Sequence, residues 1–458
     1  MNKSLKNIFK NGVASGIQKI LQIAQQLLLI PFFLSYWGAE YYGEWLTITV
    51  FPTILNLSNV GLGTAASNSF VLRFIAQDFA GAKRVYRAGF IFVTISILVG
   101  CIGGLILIYL LTSNDILSQL SIPLIEAQKV ISILILSRLF NFYYPLLESR
   151  YLIARKADVA MNVRNLFAFL KIVLFSILLV YGFKMLALAL VDLCITVFAL
   201  LVNYMITINN LNRLKSIKIE NILIEFKEIL LKGISYMLNP FWQAMFFQGT
   251  TLIVRGLLGA ESVTLINTAR TLSRTVSQLL ILVHLSIFPE IQFEFGAKNF
   301  GRVQKIIQIA LALVGIASLS GVFILGIIGP YFYEIWTQGK LEVPSSVWWL
   351  LLIGVIFNTQ WWTASVIFRA SNQPRILAVT GTVGVVIVLS LSYFLTNTFG
   401  LDGMATSMLL MEIIMAIVII PKTCQIIGLS LKDIYIGGLS GLVDSVNLLK
   451  MAYKKEKI

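Results

Sequence analysis

The chain is poor in charge, in histidine and in cysteine. Of its 458 residues only 12% are Asp, Glu, Lys or Arg, about half the share of a soluble globular domain. Such scarcity excludes an ordinary water-soluble enzyme, whose surface needs far more polar cover. It equally excludes a disordered chain, which is rich in charge and short of apolar residues. There is one histidine, His284, and there are three cysteines, Cys101, Cys194 and Cys424. None falls into a metal-ligand spacing or a disulfide framework, so no metal is expected. A lone histidine in an apolar stretch reads more readily as packed core than as a proton relay. No nucleophile motif and no phosphate-cradling glycine loop is present, so neither catalysis nor a cofactor is expected. No small-residue cleavage site follows the basic start Met1–Asn11, and the first apolar segment reads as a retained span.

What is abundant is apolar surface. The hydrophobic share is 58% and the mean hydropathy is +0.86. A helix crosses a bilayer with roughly 20 mostly apolar residues. Twelve stretches qualify, at about 12–35, 44–72, 88–111, 128–150, 158–181, 185–209, 233–256, 261–289, 305–329, 345–368, 375–397 and 402–421. They are too long, and alternate too little, for a closed barrel. The expected fold is an all-α polytopic membrane protein, with about twelve transmembrane helices in two six-helix lobes around a central cavity.

The net charge of +15 lies in short clusters between apolar stretches. It does not form a basic domain, so nucleic acid is not an expected partner. With the N-terminus placed inside, 26 Lys and Arg fall on inner segments and four on outer ones, namely Lys129, Lys184, Arg255 and Lys340. That bias predicts that both termini are cytoplasmic.

The chain also repeats. Gly12 and Gly233 open the first and seventh spans, each after a basic segment, and Gly38-Ala39-Glu40 recurs as Gly259-Ala260-Glu261, in both cases 221 residues on. Phe79-Ala80-Gly81-Ala82-Lys83 is matched with Phe295-Gly296-Ala297-Lys298. The expected organisation is an N-terminal lobe (1–211), an amphipathic cytoplasmic linker (212–232), a C-terminal lobe (233–428) and a basic cytoplasmic tail (429–458). Both lobes start inside, which predicts a two-fold axis along the membrane normal, a transporter pattern.

Charges inside spans are costly, by roughly 2.5–3.5 kcal/mol each even on insertion scales. Six bases lie there: Lys19, Arg138, Arg164, Lys171, Arg270 and Arg274. Helical spacing places Asn267, Arg270, Arg274 and Gln278 in one stripe. Ser15, Lys19, Gln22 and Gln26 form a second, Arg138, Asn141, Pro145 and Glu148 a third, and Arg164 and Lys171 share a face. Lys19 and Arg164 are close enough to a span end to snorkel. The acids well inside spans are three: Glu148, Asp192 and Glu412. The excess of bases predicts a water-filled cationic cavity, with internal ion pairing as the alternative. A cationic cavity implies an anionic substrate, and arginine suits phosphate. Asp192 and Glu412, with Glu148, are candidate proton- or sodium-coupling groups, or simple partners of the arginines. Pro52, Gly61 and Gly63 make the second span bendable. It reads as a gating helix, with small-residue packing as the equal alternative. Asn358, Gln360, Trp361 and Trp362 mark the tenth span, where the tryptophans either stack on sugar or fill volume.

Several of these residues carry a resemblance. Pro31-Phe32-Phe33-Leu34, Gly38 through Trp45 and Asn59-Val60-Gly61-Leu62-Gly63 resemble the opening of Wzx-type polysaccharide flippases, of the multidrug/oligosaccharidyl-lipid/polysaccharide exporter superfamily. Asn267–Arg274 with Phe288-Pro289-Glu290, and Arg369-Ala370-Ser371-Asn372-Gln373, resemble it more loosely. The resemblance covers the whole chain in length, span count and loop placement. It implies flipping of an undecaprenyl-diphosphate-linked oligosaccharide across a bacterial inner membrane by alternating access, with a proton or sodium gradient as the candidate driving force. Lys19, Arg138, Arg164, Lys171, Arg270 and Arg274 would then line the substrate path. The implied partners are this lipid-linked substrate, membrane lipids, and the polymerase and chain-length proteins of polysaccharide assembly, with the chain working as a monomer.

Rival readings predict different features. A multidrug or cation exporter of the same superfamily predicts a cavity dominated by carboxylates. A lipid-linked peptidoglycan precursor flippase predicts two further spans, whereas Leu431–Ile458 is only weakly apolar and reads as a surface helix. A membrane glycosyltransferase predicts a large soluble loop or catalytic acids. A facilitator-type solute transporter predicts a Gly-Asp-Arg-rich loop where Gln77-Asp78-Phe79-Ala80-Gly81-Ala82-Lys83-Arg84 stands.

Overall fold

A computed structural model describes residues 3–214, 223–371, 373 and 375–455. Within them, the side chains of 3–9, 11–12, 56–62, 212–214, 223–224, 227–228, 231–239 and 444–455 lie outside the described residues. Gly61, most of the expected linker and the tail lysines Lys450, Lys454, Lys455 and Lys457 therefore lie outside them too.

Among the described residues every regular element is helical. The helices are α1 (Lys3–Ile75), α2 (Phe79–Ser113), α3 (Leu124–Phe140), α4 (Tyr144–Ile153), α5 (Ala157–Val180), α6 (Met185–Thr207), α7 (Leu223–Leu258), α8 (Ala260–Ser273), α9 (Thr275–Gly296), α10 (Phe300–Thr337), α11 (Ser345–Ala364), α12 (Val366–Ala370), α13 (Arg375–Ile427) and α14 (Leu431–Lys455). Nine described segments are long and apolar enough to cross a membrane. Two of these are double lengths. Helix α1 holds the first two expected spans, joined at Gly38 (φ 76°, ψ 174°), and α13 holds the last two, joined at Gly400 (φ 59°, ψ −133°). Only glycine adopts such backbone without strain.

Three expected spans are broken rather than continuous. A 3-10 turn at Asn141–Tyr143 separates α3 from α4, with Pro145 in the first turn of α4. The polar face drawn from Arg138 to Glu148 on one helix is thus carried by two helices joined through that turn. Arg274 (φ −78°, ψ −4°) interrupts the helix between α8 and α9, and Ser365 does so between α11 and α12. The Arg270 and Arg274 stripe is thus not one straight helical face, although Arg274 N still donates to Arg270 O at 3.1 Å.

The chain divides into two compact units, Met1–Leu252 and Ile253–Ile458. In the first, α1 packs on α2, α3, α4 and α5, and α6 packs on α3 and α5. Its core holds Leu34, Ile48, Phe70, Leu134, Tyr151 and Leu179. In the second, α11 packs on α10 and α13, and α14 lies along α10. Along α2 the residues Ile95, Leu98, Val99, Ile102, Leu105 and Ile106 are exposed. Helices whose backbone groups are satisfied internally, with an apolar exterior, suit a bilayer and not water. The protein is a multi-pass membrane protein.

The two units share a local backbone code. Gly38 and Gly259 have φ of 76° and 88°, Gln77 and Lys298 of 65° and 58°, and Gly182 and Gly400 of 76° and 59°. Asp78 and Asn299 start α2 and α10 with nearly the same dihedrals. Pro123 (−56°, 135°) and Pro344 (−54°, 136°) precede α3 and α11. The repeat thus pairs Phe79 with Phe300, five residues beyond the Phe295 match drawn from sequence.

Candidate functional site

Two polar clusters lie at span depth, each complete within one unit. In the first unit, Asp192 on α6 is 3% exposed. Its carboxylate accepts from Ser137 Oγ at 2.7 Å, and Ser137 Oγ is 3.1 Å from Thr196 Oγ1. Lys171 of α5 donates to the same carboxylate, and Arg138 Nη2 of α3 stands 3.6 Å from it. A buried carboxylate needs such partners, because desolvation is only offset by close opposite charge and hydrogen bonds. The Lys171 ammonium also sits 5.2 Å from the Phe175 ring centroid.

Beside this cluster, Arg164 of α5 donates to Glu148 of α4, with its guanidinium 5.7 Å from the Tyr144 ring centroid. Tyr144 in turn accepts from Asn203 Nδ2 at 3.4 Å. Arg164 and Lys171 therefore serve different carboxylates, although helical spacing puts them on one face.

In the second unit, Glu412 on α13 accepts two hydrogen bonds on one oxygen, from Asn358 Nδ2 at 2.9 Å and from Trp361 Nε1 at 2.7 Å. Arg274 acts electrostatically on Glu412 and on Arg270. Arg270 donates to Asn267 Oδ1. Both arginines are half-buried. Each unit thus sets two bases against one acid in its main cluster: Arg138 and Lys171 against Asp192, and Arg270 and Arg274 against Glu412.

The remaining sequence candidates are placed separately. Lys19 is half-buried on α1, one turn beyond Ser15, whose hydroxyl lies 3.3 Å from Met161 S. Pro52 and Gly63 are buried within α1. His284 is a packed residue, with Nδ1 3.0 Å from Trp362 O and its ring against the Trp362 ring. Among the described residues no three His, Cys, Asp or Glu side chains gather as metal ligands.

Sequence reasoning missed Ser137 and Thr196, whose hydroxyls complete the Asp192 cluster. Their signal was faint: Ser137 precedes Arg138, and Thr196 follows Asp192 by one helical turn. It also missed a contact at the basic end of the first unit. Glu225, buried on α7, meets Arg84 Nε at 2.9 Å and Arg73 Nη1 at 3.4 Å.

No family model matches the chain, and no curated protein matches it in sequence. Solved structures do match. A multidrug resistance MATE family transporter of the MOP superfamily, in an inward-facing conformation, aligns with a TM-score of 0.73 at 17% identity, covering 89% of this chain and 94% of that one. An outward-facing structure of such a transporter aligns at 0.60 and 16% identity, over 92% and 94%. A MOP superfamily transporter from Pyrococcus furiosus, described as having a binding pocket of reversed polarity that suggests a different function, aligns at 0.56 and 15% identity, over 92% and 94%. The chain has the MATE transporter fold.

Proposed function

We propose that this chain is an alternating-access exporter of amphipathic compounds, in the MOP superfamily. The observation that carries the reading is the fold, which follows transporters solved in both inward- and outward-facing conformations over about nine-tenths of the chain. The exporter works in a bacterial inner membrane, with both termini on the cytoplasmic side, as the distribution of Lys and Arg favours. It functions as a monomer, and a proton or sodium gradient drives it through Asp192 or Glu412.

Two substrate classes divide this reading. Multidrug export is what the solved neighbours favour, because the MATE structures belong to multidrug resistance transporters, and the buried carboxylate Glu412 is a candidate partner for an organic cation. Flipping of an undecaprenyl-diphosphate-linked oligosaccharide is the second. It is favoured by the two-to-one ratio of bases to acid in each main cluster and by the sequence resemblance. In it, the diphosphate is met by bases of these clusters, Arg138 and Lys171 being the candidates in the first unit, with Lys19 and Arg164, and Arg270 and Arg274 those in the second.

One experiment separates them. Cells lacking the protein receive the intact chain or the Arg270→Ala/Arg274→Ala variant at matched membrane levels. Drug efflux, lipid-linked repeat units on the cytoplasmic leaflet and finished surface polysaccharide are then measured. Restored polymer with the intact chain, and stranded units with the variant, supports flipping. Restored efflux of cationic drugs without any change in polymer supports multidrug export. Neither response with the intact chain sinks both readings.

A further inference from the structure

The second unit carries a pocket of about 520 Å³ where the end of α10 meets the start of α11. Tyr331, Tyr333, Trp348 and Trp349 wall it, and Glu334 and Glu342 line it with them. Helix α10 starts beside Lys298, Arg302 and Lys305. The lining residues Gly326 to Glu334 lie roughly 40–50 Å along it, at about 1.5 Å of rise per residue. That is about the thickness of a bilayer with its headgroups. The pocket therefore lies at headgroup level, on the side opposite to these basic residues. Phe323, Ile327 and Tyr331, at four-residue steps of α10, form an exposed apolar stripe that leads into it.

The walls are held in place. An added Cβ at Gly329 would come within 2.3 Å of the Trp348 ring, and one at Gly326 within 2.3 Å of the Trp349 ring, so both indoles rest directly on α10. Trp348 Nε1 donates to Leu325 O at 3.2 Å, and Tyr333 Oη lies 2.7 Å from Thr268 Oγ1. Pro330 has no amide hydrogen, so the carbonyl of Gly326 lacks its usual helical donor. Tyrosine and tryptophan are common at membrane interfaces, which accounts for the exposed Tyr331 and Trp349. It does not account for the buried Tyr333 and Trp348 in one pocket with two carboxylates.

The charges at the pocket are mixed. Glu334 and Glu342 are exposed, and neither forms an ion pair among the described residues. Lys340, between the lining residues Gly339 and Leu341, is the loop's one cation and is exposed. Two acids with a base beside them match a zwitterion. The repeat provides an independent observation. At the spacing of 221 residues, Glu334, Glu342, Trp348 and Trp349 correspond to Ser113, Ser121, Ala127 and Gln128, and Gly326 and Gly329 to Leu105 and Ile108. The first unit forms at these places without acid, indole or glycine, so the set in the second unit is not what the shared fold requires.

We propose that this pocket binds the headgroup of a zwitterionic phospholipid that carries a primary ammonium. The ammonium donates to the Glu334 and Glu342 carboxylates and lies against the aromatic walls. The phosphate sits towards Lys340, and an acyl chain follows the stripe from Tyr331 to Phe323. A space of this size, within the range of small-molecule pockets, takes the headgroup with its glycerol. With the orientation proposed above, the lipid belongs to the outer leaflet. The binding itself depends neither on that orientation nor on which substrate the protein exports.

Native mass spectrometry of the full-length, delipidated protein tests this, with phosphatidylethanolamine or phosphatidylglycerol added at equal concentration. Glu334→Gln combined with Glu342→Gln is expected to retain phosphatidylethanolamine roughly tenfold more weakly than the intact chain, the effect of one charge-assisted hydrogen bond. Its retention of phosphatidylglycerol is expected to be unchanged. Ser345→Trp, which fills the pocket from its rim and leaves both carboxylates in place, is expected to weaken phosphatidylethanolamine alone to a similar degree. Asp115→Asn, which removes an exposed acid from the corresponding loop of the first unit, is expected to change neither lipid. Unchanged retention of phosphatidylethanolamine in the double variant or in Ser345→Trp overturns the proposal. An equal loss in Asp115→Asn traces the effect to general surface charge and overturns it too. Retention of tetraphenylphosphonium in place of phosphatidylethanolamine, abolished by the same variants, overturns the lipid assignment in favour of an exported cation.

Discussion

Gly38 and Gly259 hold the same unusual backbone, with φ of 76° and 88° and ψ of 174° and 178°. They stand 221 residues apart, each at the junction of two span-length segments. An added Cβ at either would meet nothing within 4 Å. The demand for glycine is therefore conformational and not steric.

Alanine at either position should cost about 1–3 kcal/mol of backbone strain. Thermal unfolding of the purified protein should show a lower midpoint for Gly38→Ala and for Gly259→Ala, by similar amounts. Gly256→Ala is the control. That position is also open, but its backbone is helical, so alanine there should be neutral or stabilise by up to about 1 kcal/mol. Equal effects at all three positions would contradict the strain argument.

Asp192 and Lys171 should behave as one unit. Lys171→Ala leaves a carboxylate that is 3% exposed with Arg138 at 3.6 Å as its remaining cation. Breaking a buried pair from one side typically costs about 3–5 kcal/mol, whereas replacing both members by apolar residues costs far less. Lys171→Met with Asp192→Leu should thus be more stable than Lys171→Met alone. A double-mutant cycle of unfolding midpoints in detergent measures this coupling, and additive losses would exclude it.

This pair shows how far the sequence could be read. Composition, span lengths and the Gly-Ala-Glu repeat were enough for an all-α membrane protein of two similar halves, because apolar length and positive-φ glycines are local properties. The acid and base candidates were also visible, as rare charges in apolar runs. Their pairing was not, because it depends on which helices pack together. Arg164 and Lys171 share a face by spacing, yet their partners come from α4 and α6. The breaks at Asn141 and Arg274 were equally hidden, since neither residue excludes a continuous helix. Arg150, at the very end of the fourth expected span, is only 4% exposed, because Tyr86 of α2 and Tyr204 of α6 pack against its guanidinium.

Trp361 and Asn358 should matter through Glu412. Both donate to one carboxylate oxygen, and a hydrogen bond to a charged group contributes about 1.5–3 kcal/mol. Trp361→Phe keeps the ring volume approximately and removes a single donor. It should lower the unfolding midpoint or slow transport, and Glu412→Gln combined with Trp361→Phe should add little to Glu412→Gln alone. If the two losses add fully, the hydrogen bond is not what ties Trp361 to Glu412.

The start of α14 is closed by a reciprocal cap. Ser430 Oγ donates to Asp433 Oδ2 at 2.6 Å, and Asp433 N donates back to Ser430 Oγ at 3.1 Å. The Ser430 hydroxyl and amide hold the Asp433 carboxyl below its ordinary range. The cap therefore contributes fully above the unfolded Asp value of about 3.9, and is lost as pH falls through the lowered folded value. Helix α14 packs along α10, so losing the cap should loosen it before the remaining helices open. Hydrogen exchange along α14 should be slow at neutral pH and accelerate below about pH 4, while exchange in α10 stays slow. Ser430→Ala, which should cost about 1 kcal/mol of helix stability, should produce the faster exchange already at neutral pH. Exchange in α14 that ignores both acid and this substitution would mean that packing against α10, through Gly437 and Gly438 on Gln308, holds the helix without its cap.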